Sequence, residues 1–561
     1  VTRARRLDAP CALIVLLVAA ALWLPRLAGP IDPRSDAGVY YVLGTSIHEG
    51  AGYRLLNEPG ELRAVQYPPG LPALVAAHQW ALGTSDFARV GPALRLTFML
   101  LSIALALATY ALARRLLEPG WALAATLVAT LSLMVYSFSD LLYTETPFAL
   151  ATVGMALLHR RGQRTGSRWA RAGVGAAAVA AYLLRTAGVA LLVAWVAESL
   201  LQRRYRRAAL RAAVALAPIL LWHGYVASVT ARADYRAPAY PYQRASYYFS
   251  NVPYAENARL LDPFRPELGE ASPTQVLART LRNTATIPLA MSAATTVPFD
   301  AWTWPVKGLG RRLGAGEPTW PAYLPMLAVT ALIVLGAALL VRRRRGFVPL
   351  LFVASTGLVC LAPWPEQFHR YLTPSAPFMA IFFVVAARWL VQRARRRPRP
   401  VALVGVALVS ALLAGVLVTQ AAWAVRVLRG ATEVRYRGTD GAPRVARHLH
   451  YNPAWLTLDA AIDWVGRHAA PGDVMATVAT HTAYVRTGVK SVLPPLTVDP
   501  AEGQRLLDAV PVRFLIIDST GYPDTVRYSL PIIDAHPHLW RLVHGETAAD
   551  ESTAHVYERV R

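Results

Sequence analysis

The sequence predicts a polytopic α-helical membrane protein of about 11 transmembrane helices, with a small α/β domain at its C-terminal end. Three observations predict it. The 561 residues are 55% hydrophobic and only 16% charged, where a soluble chain carries about 25% charged residues. Apolar runs approaching the ~20 residues of a membrane span recur throughout positions 1–430. Positions 431–561 lack such runs and read instead as short helices and strands.

The spans follow in order. Residues 10–29 come after "VTRARR", a cationic start that also suits a signal peptide. No small-residue cleavage site stands out and many spans follow, so a retained first helix is expected. The others are 92–113, 120–138, 143–158, 170–184, 187–201, 212–230, 322–341, 347–363, 373–391 and 401–426. Those starting at 143, 170 and 187 are short, which leaves room for one re-entrant pair.

Cationic residues in short loops face the cytoplasm. With the N-terminus inside, segments 3–6, 114–115, 160–171, 203–211, 342–345 and 393–399 are inner, and they hold 24 arginines. The short outer loops 138–146, 184–187 and 364–371 hold only Arg185 and Arg370. Segments 30–91 and 231–321 are then outer loops of a membrane domain spanning 1–430, and 431–561 is an extracytoplasmic domain. In that domain 455–469 has helical periodicity, while 474–479, 512–518, 539–544 and 554–560 read as strands. The chain is thus a multi-pass plasma-membrane protein with its C-terminal domain outside.

Composition excludes other classes. The net charge of +24 comes from arginines clustered between apolar runs, which argues against nucleic-acid binding. Two cysteines, Cys11 and Cys360, both lie in apolar runs and make neither a disulfide framework nor a metal site. No metal or other cofactor is implied. "HLHYN" (448–452) reads as surface rather than as a ligand pair.

Chemistry concentrates in the outer loops. "RSDAGVYY" (34–41) puts Asp36 at the outer end of the first span, with Asp32 before it. The following "VYYVLGTSIHEG" reads as an interfacial amphipathic helix, with Tyr40 and Tyr41 at headgroup depth. "YPPG" (67–70) is a rigid turn carrying Tyr67. "SDLLYTETPFAL" (139–150) adds Asp140 and Glu145. Acids at helix ends are often solvated or capping groups. Here two distant loops place carboxylates at one membrane depth, where ionisable groups point to function. Arg185 and Arg370 face them, and guanidinium forks match phosphate oxygens. His369 and Tyr371 flank Arg370 and add donors. Such a set suits moving a sugar from a lipid phosphate to a hydroxyl: a carboxylate takes the hydroxyl proton and arginines hold the departing phosphate.

The acid after the first span, the "YPPG" loop, "LLYTETPF" and "RYLTPSAPF" resemble the GT-C glycosyltransferases, which include protein O-mannosyltransferases and lipid A aminoarabinose transferases. The likeness covers residues 1–430 in layout and is motif-specific at 36–70, 139–148 and 369–377. It implies a polyprenyl-phosphate sugar donor, transfer with inversion, Asp36 as the essential acid and Glu145 as the second-loop acid. The acceptor is a lipid, glycan or protein, and membrane lipids are the remaining partners. The aminoarabinose transferases have a lysine before the double proline where this chain has Tyr67, so phosphate binding falls to Arg63, Arg185 or Arg370. Competing readings are a transporter or lipid flippase, which favours charged or broken-helix sites near the midplane, and a non-catalytic envelope assembly protein. Because the candidate acids and arginines all precede 430, the bond chemistry is expected in the membrane part.

Overall fold

A computed structural model describes residues 7–312, 314, 317, 319–342, 346–449 and 451–560. The arginines at 3–6 and 343–345, counted above as inner, lie outside the described residues, as does His450.

The membrane part is a helix bundle. α1 (Asp8–Trp23) packs on α4 (Phe87–Ala113) and α5 (Pro119–Thr130). Between them α2 (Asp36–His48) and α3 (Gly70–Leu82) pack on one another. α6 (Leu133–Phe138) follows a break after α5 at which Ser132 Oγ donates to Ala294 O at 2.8 Å. α7 (Glu145–Thr165) and α8 (Arg168–Leu184) form a tight antiparallel pair. Gly166 with φ 67° ends the first of them, and the Ser167 hydroxyl caps the second through Ala170 N. α9 (Val189–Leu201) and α10 (Tyr205–Thr230) complete the first half.

α11 (Pro273–Thr295) and α12 (Phe299–Arg312) come next, then α13 (Tyr323–Arg342), α14 (Phe347–Cys360), α15 (Phe368–Leu372), α16 (Ala376–Ala394) and α17 (Arg399–Arg429). α16 is the centre of the bundle: residues 376–387 are all buried, packed on α5, α13 and α17. α13 comes so close that a Cβ on Gly336 would stand 1.9 Å from Phe382 O.

Among the described residues, six helical segments are long and apolar enough to cross a membrane: Asp8–Arg26, Phe87–Ala113, Tyr205–Thr230, Trp320–Arg342, Pro365–Ala394 and Arg399–Arg429. Pro119–Thr130, Thr186–Leu201 and Phe347–Cys360 are shorter apolar helices. The protein is multi-pass, but the predicted span 120–138 is two helices. Within the 231–321 segment, α11 packs on α13, α14 and α16, and Asn283 Nδ2 donates to Cys360 O at 2.9 Å.

The C-terminal domain is built on a five-stranded mixed sheet. β1 (Thr432–Arg437) and β2 (Pro443–His448) form a separate antiparallel hairpin. Then come α18 (Pro453–His468), β3 (Val474–Ala476), α19 (Thr480–Thr487), β4 (Lys490–Val492), α20 (Pro500–Asp508), β5 (Val512–Asp518), β6 (Trp540–Thr547) and β7 (Thr553–Arg559). The sheet order is β4-β3-β5-β7-β6, with β3 parallel to β4 and β5, and β7 antiparallel to β5 and β6. The Asn452 side chain caps α18, whose Leu458, Ala461, Ile462 and Val465 bury against Phe514, Ile516 and Val556. The opposite face packs on Tyr240, Tyr242, Tyr247 and Tyr248 from the 231–321 segment. Glu58 is buried there and accepts from the hydroxyls of Tyr240 at 2.6 Å and Tyr248 at 2.5 Å. Loop and domain therefore share one core.

Candidate active site

α2 begins at Asp36. Ser35, just before it, has φ 52°, a region that costs a non-glycine residue on the order of 1–3 kcal/mol. That strain sits on the residue that directs α2 and hence the Asp36 side chain. Glu145 opens α7, where a carboxylate complements the positive helix end. Arg185 ends α8 in extended backbone, and Arg370 lies on α15.

These four residues meet. Arg370 Nη2 donates to Asp36 Oδ2 and Arg370 Nε to Glu145 Oε1, both at 2.8 Å. Arg185 Nη1 donates to the same Glu145 oxygen at 2.8 Å. Tyr67 OH donates to Asp36 Oδ1 at 3.2 Å. The Glu145 side chain is 1% exposed and that of Asp36 is 36% exposed. Two carboxylates thus share two guanidiniums, and Asp36 is the one with an open side. Each arginine keeps further N–H groups beyond these bonds.

Aromatic rings wall the site. Arg370 lies 4.1 Å from the Tyr143 ring centroid and Arg185 5.3 Å from that of Tyr371. Tyr40 meets Tyr67 edge-on at 5.2 Å. Burial raises the pKa of Tyr67 well above its usual value, and the Asp36 charge adds to the effect, so the phenol stays a donor.

Other predicted residues lie elsewhere. Tyr41 donates to Ser85 O at 2.7 Å and packs on Phe87, so it fixes α2 to the start of α4. Tyr40 and Tyr41 are both buried, not at an exposed interface, because α2 is covered by α3 and by α19. Arg63 sits 3.6 Å from Asp234. His369 is half-buried and has no side-chain hydrogen bond to the network among the described residues.

Asp32 and Asp140 are held in internal ion pairs. Asp32 is fully buried and takes Arg34 Nε at 2.9 Å. Asp140 is fully buried, 3.0 Å from both Arg26 and Arg95, and accepts from Leu449 N at 2.9 Å. Burial would raise its pKa, but Arg26 and Arg95 more than offset that and hold it far below the carboxylate range. His448 is buried 3.7 Å from Asp140, which corrects the surface reading of "HLHYN".

The C-terminal domain reaches the segment that carries Asp36. Arg95 Nη2 donates to Arg447 O at 2.6 Å, and Thr482 Oγ1 to Pro33 O at 3.0 Å. Arg34 stacks 3.9 Å from the Tyr451 ring centroid. A Cβ on Gly38 would stand 2.9 Å from both His481 Cβ and Thr482 N, so α19 docks directly on α2. Tyr143 also belongs to the site, and nothing in "LLYTETPF" marks it as the ring beneath Arg370. Among the described residues, no three His, Cys, Asp or Glu side chains group as a metal site.

The sequence matches no family model and no curated protein. Among solved structures, the chain is similar to the archaeal oligosaccharyltransferase AglB from Archaeoglobus fulgidus, in complex with an inhibitory peptide and a dolichol-phosphate. The TM-score is 0.55 at 12% identity, over 98% of this chain and 74% of that one. The Archaeoglobus fulgidus oligosaccharyltransferase in complex with zinc and sulfate gives 0.54 at 12% identity, over 97% and 72%. Identity this low establishes the fold alone. The chain has the GT-C membrane fold.

Proposed function

We propose that the protein is an integral-membrane glycosyltransferase. It moves a sugar from a polyprenyl-phosphate donor to an acceptor hydroxyl on the outer face of the membrane, with inversion. The observation that carries this reading is the Asp36–Arg370–Glu145–Arg185 network: a partly open carboxylate bonded to a guanidinium that is itself anchored from behind. A dolichol-phosphate is bound in the AglB structure, which has the same fold.

The acceptor oxygen attacks the anomeric carbon from the side opposite the phosphate, and the carbon–oxygen bond to phosphate breaks. Asp36 takes the hydroxyl proton. The phosphate leaves with one more negative charge, and Arg370 and Arg185 stabilise it. Glu145 is too enclosed to meet an acceptor. Its role is to orient both guanidiniums, so it is a positioning residue. The network also argues against a purely non-catalytic assembly role, in which these groups have no reason to converge.

The test compares the glycolipids and envelope glycans of a strain lacking the gene with strains complemented by wild type or Asp36→Asn. A glycan that disappears in the deletion, returns with wild type and stays absent with Asp36→Asn supports transfer. Full complementation by Asp36→Asn overturns it.

A further inference from the structure

α19 carries His481 into its contact with α2, and the missing side chain of Gly38 admits it. His481 is 9% exposed. Its Nδ1 lies 3.1 Å from Thr480 Oγ1. The Thr480 hydroxyl can donate to Nδ1 or accept from it, and where it donates the ring hydrogen is on Nε2. Nε2 is buried and has no hydrogen-bond partner among the described residues. Burial pushes the ring pKa down to about 4, with the Asp36 charge pulling the other way. The ring is therefore neutral at neutral pH. A buried ring nitrogen without a partner is rare, and α19 seats this ring against Gly38, two residues along α2 from Asp36, whose charge acts on it.

In the resting site Asp36 is held by Arg370 and Tyr67. A donor phosphate that turns Arg370 toward itself leaves the carboxylate one donor short. We propose that His481 Nε2–H takes up that hydrogen bond, so that the outer domain holds Asp36 toward the acceptor hydroxyl during transfer. The inference rests on Asp36 being the base. His481 keeps its proton throughout, and the acceptor's proton goes to Asp36. His481 is thus a positioning residue, and docking of α19 on α2 becomes a condition of turnover.

The near-isosteric pair His481→Met and His481→Gln tests this in the purified full-length protein with a polyprenyl-phosphate sugar. Only glutamine can donate. The Met variant should lose about tenfold in kcat, with the donor KM, donor-lipid binding and melting temperature unchanged, and the Gln variant should recover most of the loss. Wild-type kcat in the Met variant overturns the proposal. So does equal loss in both variants, or loss of donor binding along with kcat, since either marks a packing role. Should the Met variant not fold, His481→Ala with added imidazole decides: recovered turnover supports the proposal and no recovery overturns it. Full activity in Asp36→Asn removes the base itself. An inactive Asp36→Asn beside a fully active His481→Met removes only the role of His481.

Discussion

Asp140 and Glu145 sit five residues apart in one loop, both wholly buried, yet their substitution should have opposite consequences. Asp140 neutralises Arg26 and Arg95 and holds Leu449 N. Removing one partner of such a buried set costs about 3–5 kcal/mol. Asp140→Asn should therefore unfold at lower temperature in detergent, while the molecules that remain folded bind donor lipid normally. Glu145→Gln should leave a folded protein with weakened donor binding and reduced turnover, because both guanidiniums lose their anchor. Arg370→Ala should weaken donor-lipid binding about tenfold or more. Arg370→Lys should recover only part, since a point charge replaces a fork that spans Asp36 and Glu145. Unchanged donor affinity in Arg370→Ala would remove the phosphate assignment. Asp36 and Glu145 were legible in the sequence because each acid stands beside an apolar run. The same signal marked Asp32 and Asp140, whose structural roles depend on Arg34, Arg26 and Arg95. Which acid meets which arginine is a tertiary fact that spacing does not carry.

The elements differ in how far local pattern decided them. α18 and the strands β5 and β7 were read closely because each has one apolar face or run bounded by turn residues. α11 was missed: it holds Arg279, Arg282, Asn283 and several threonines, which lower its hydropathy, and its burial comes from neighbours far away in sequence. The helix at 36–48 was anticipated, but its surroundings were not, since only the fold brings α3 and α19 over it. At this scale packing is testable away from the site. Gly336 faces the backbone of Phe382, and no rotamer change relieves a methyl group there. Gly336→Ala should lower the melting temperature through a cost of about 1–3 kcal/mol. Donor affinity of the folded variant should be unchanged, as the α13–α16 contact lies outside the network.

The whole molecule is a membrane bundle whose segments 30–91 and 231–321 pack with the C-terminal domain, so the two parts form one unit beside Asp36. Reporter fusions after Arg164 and Arg397 should report cytoplasm, and fusions near Asp262 and Gly472 should report the outside. An outside signal at Arg164 would place the site on the wrong face for a lipid-linked donor. The central claim is that Asp36 removes the acceptor's proton while the arginines hold the donor phosphate. The most direct measurement is turnover of purified Asp36→Asn with a polyprenyl-phosphate sugar, alongside donor-lipid binding to the same preparation. The predicted result is a fall of about 10² to 10⁴-fold in turnover with donor binding near that of wild type. Full turnover in Asp36→Asn would contradict the account and return Asp36 to the role of a helix-end charge.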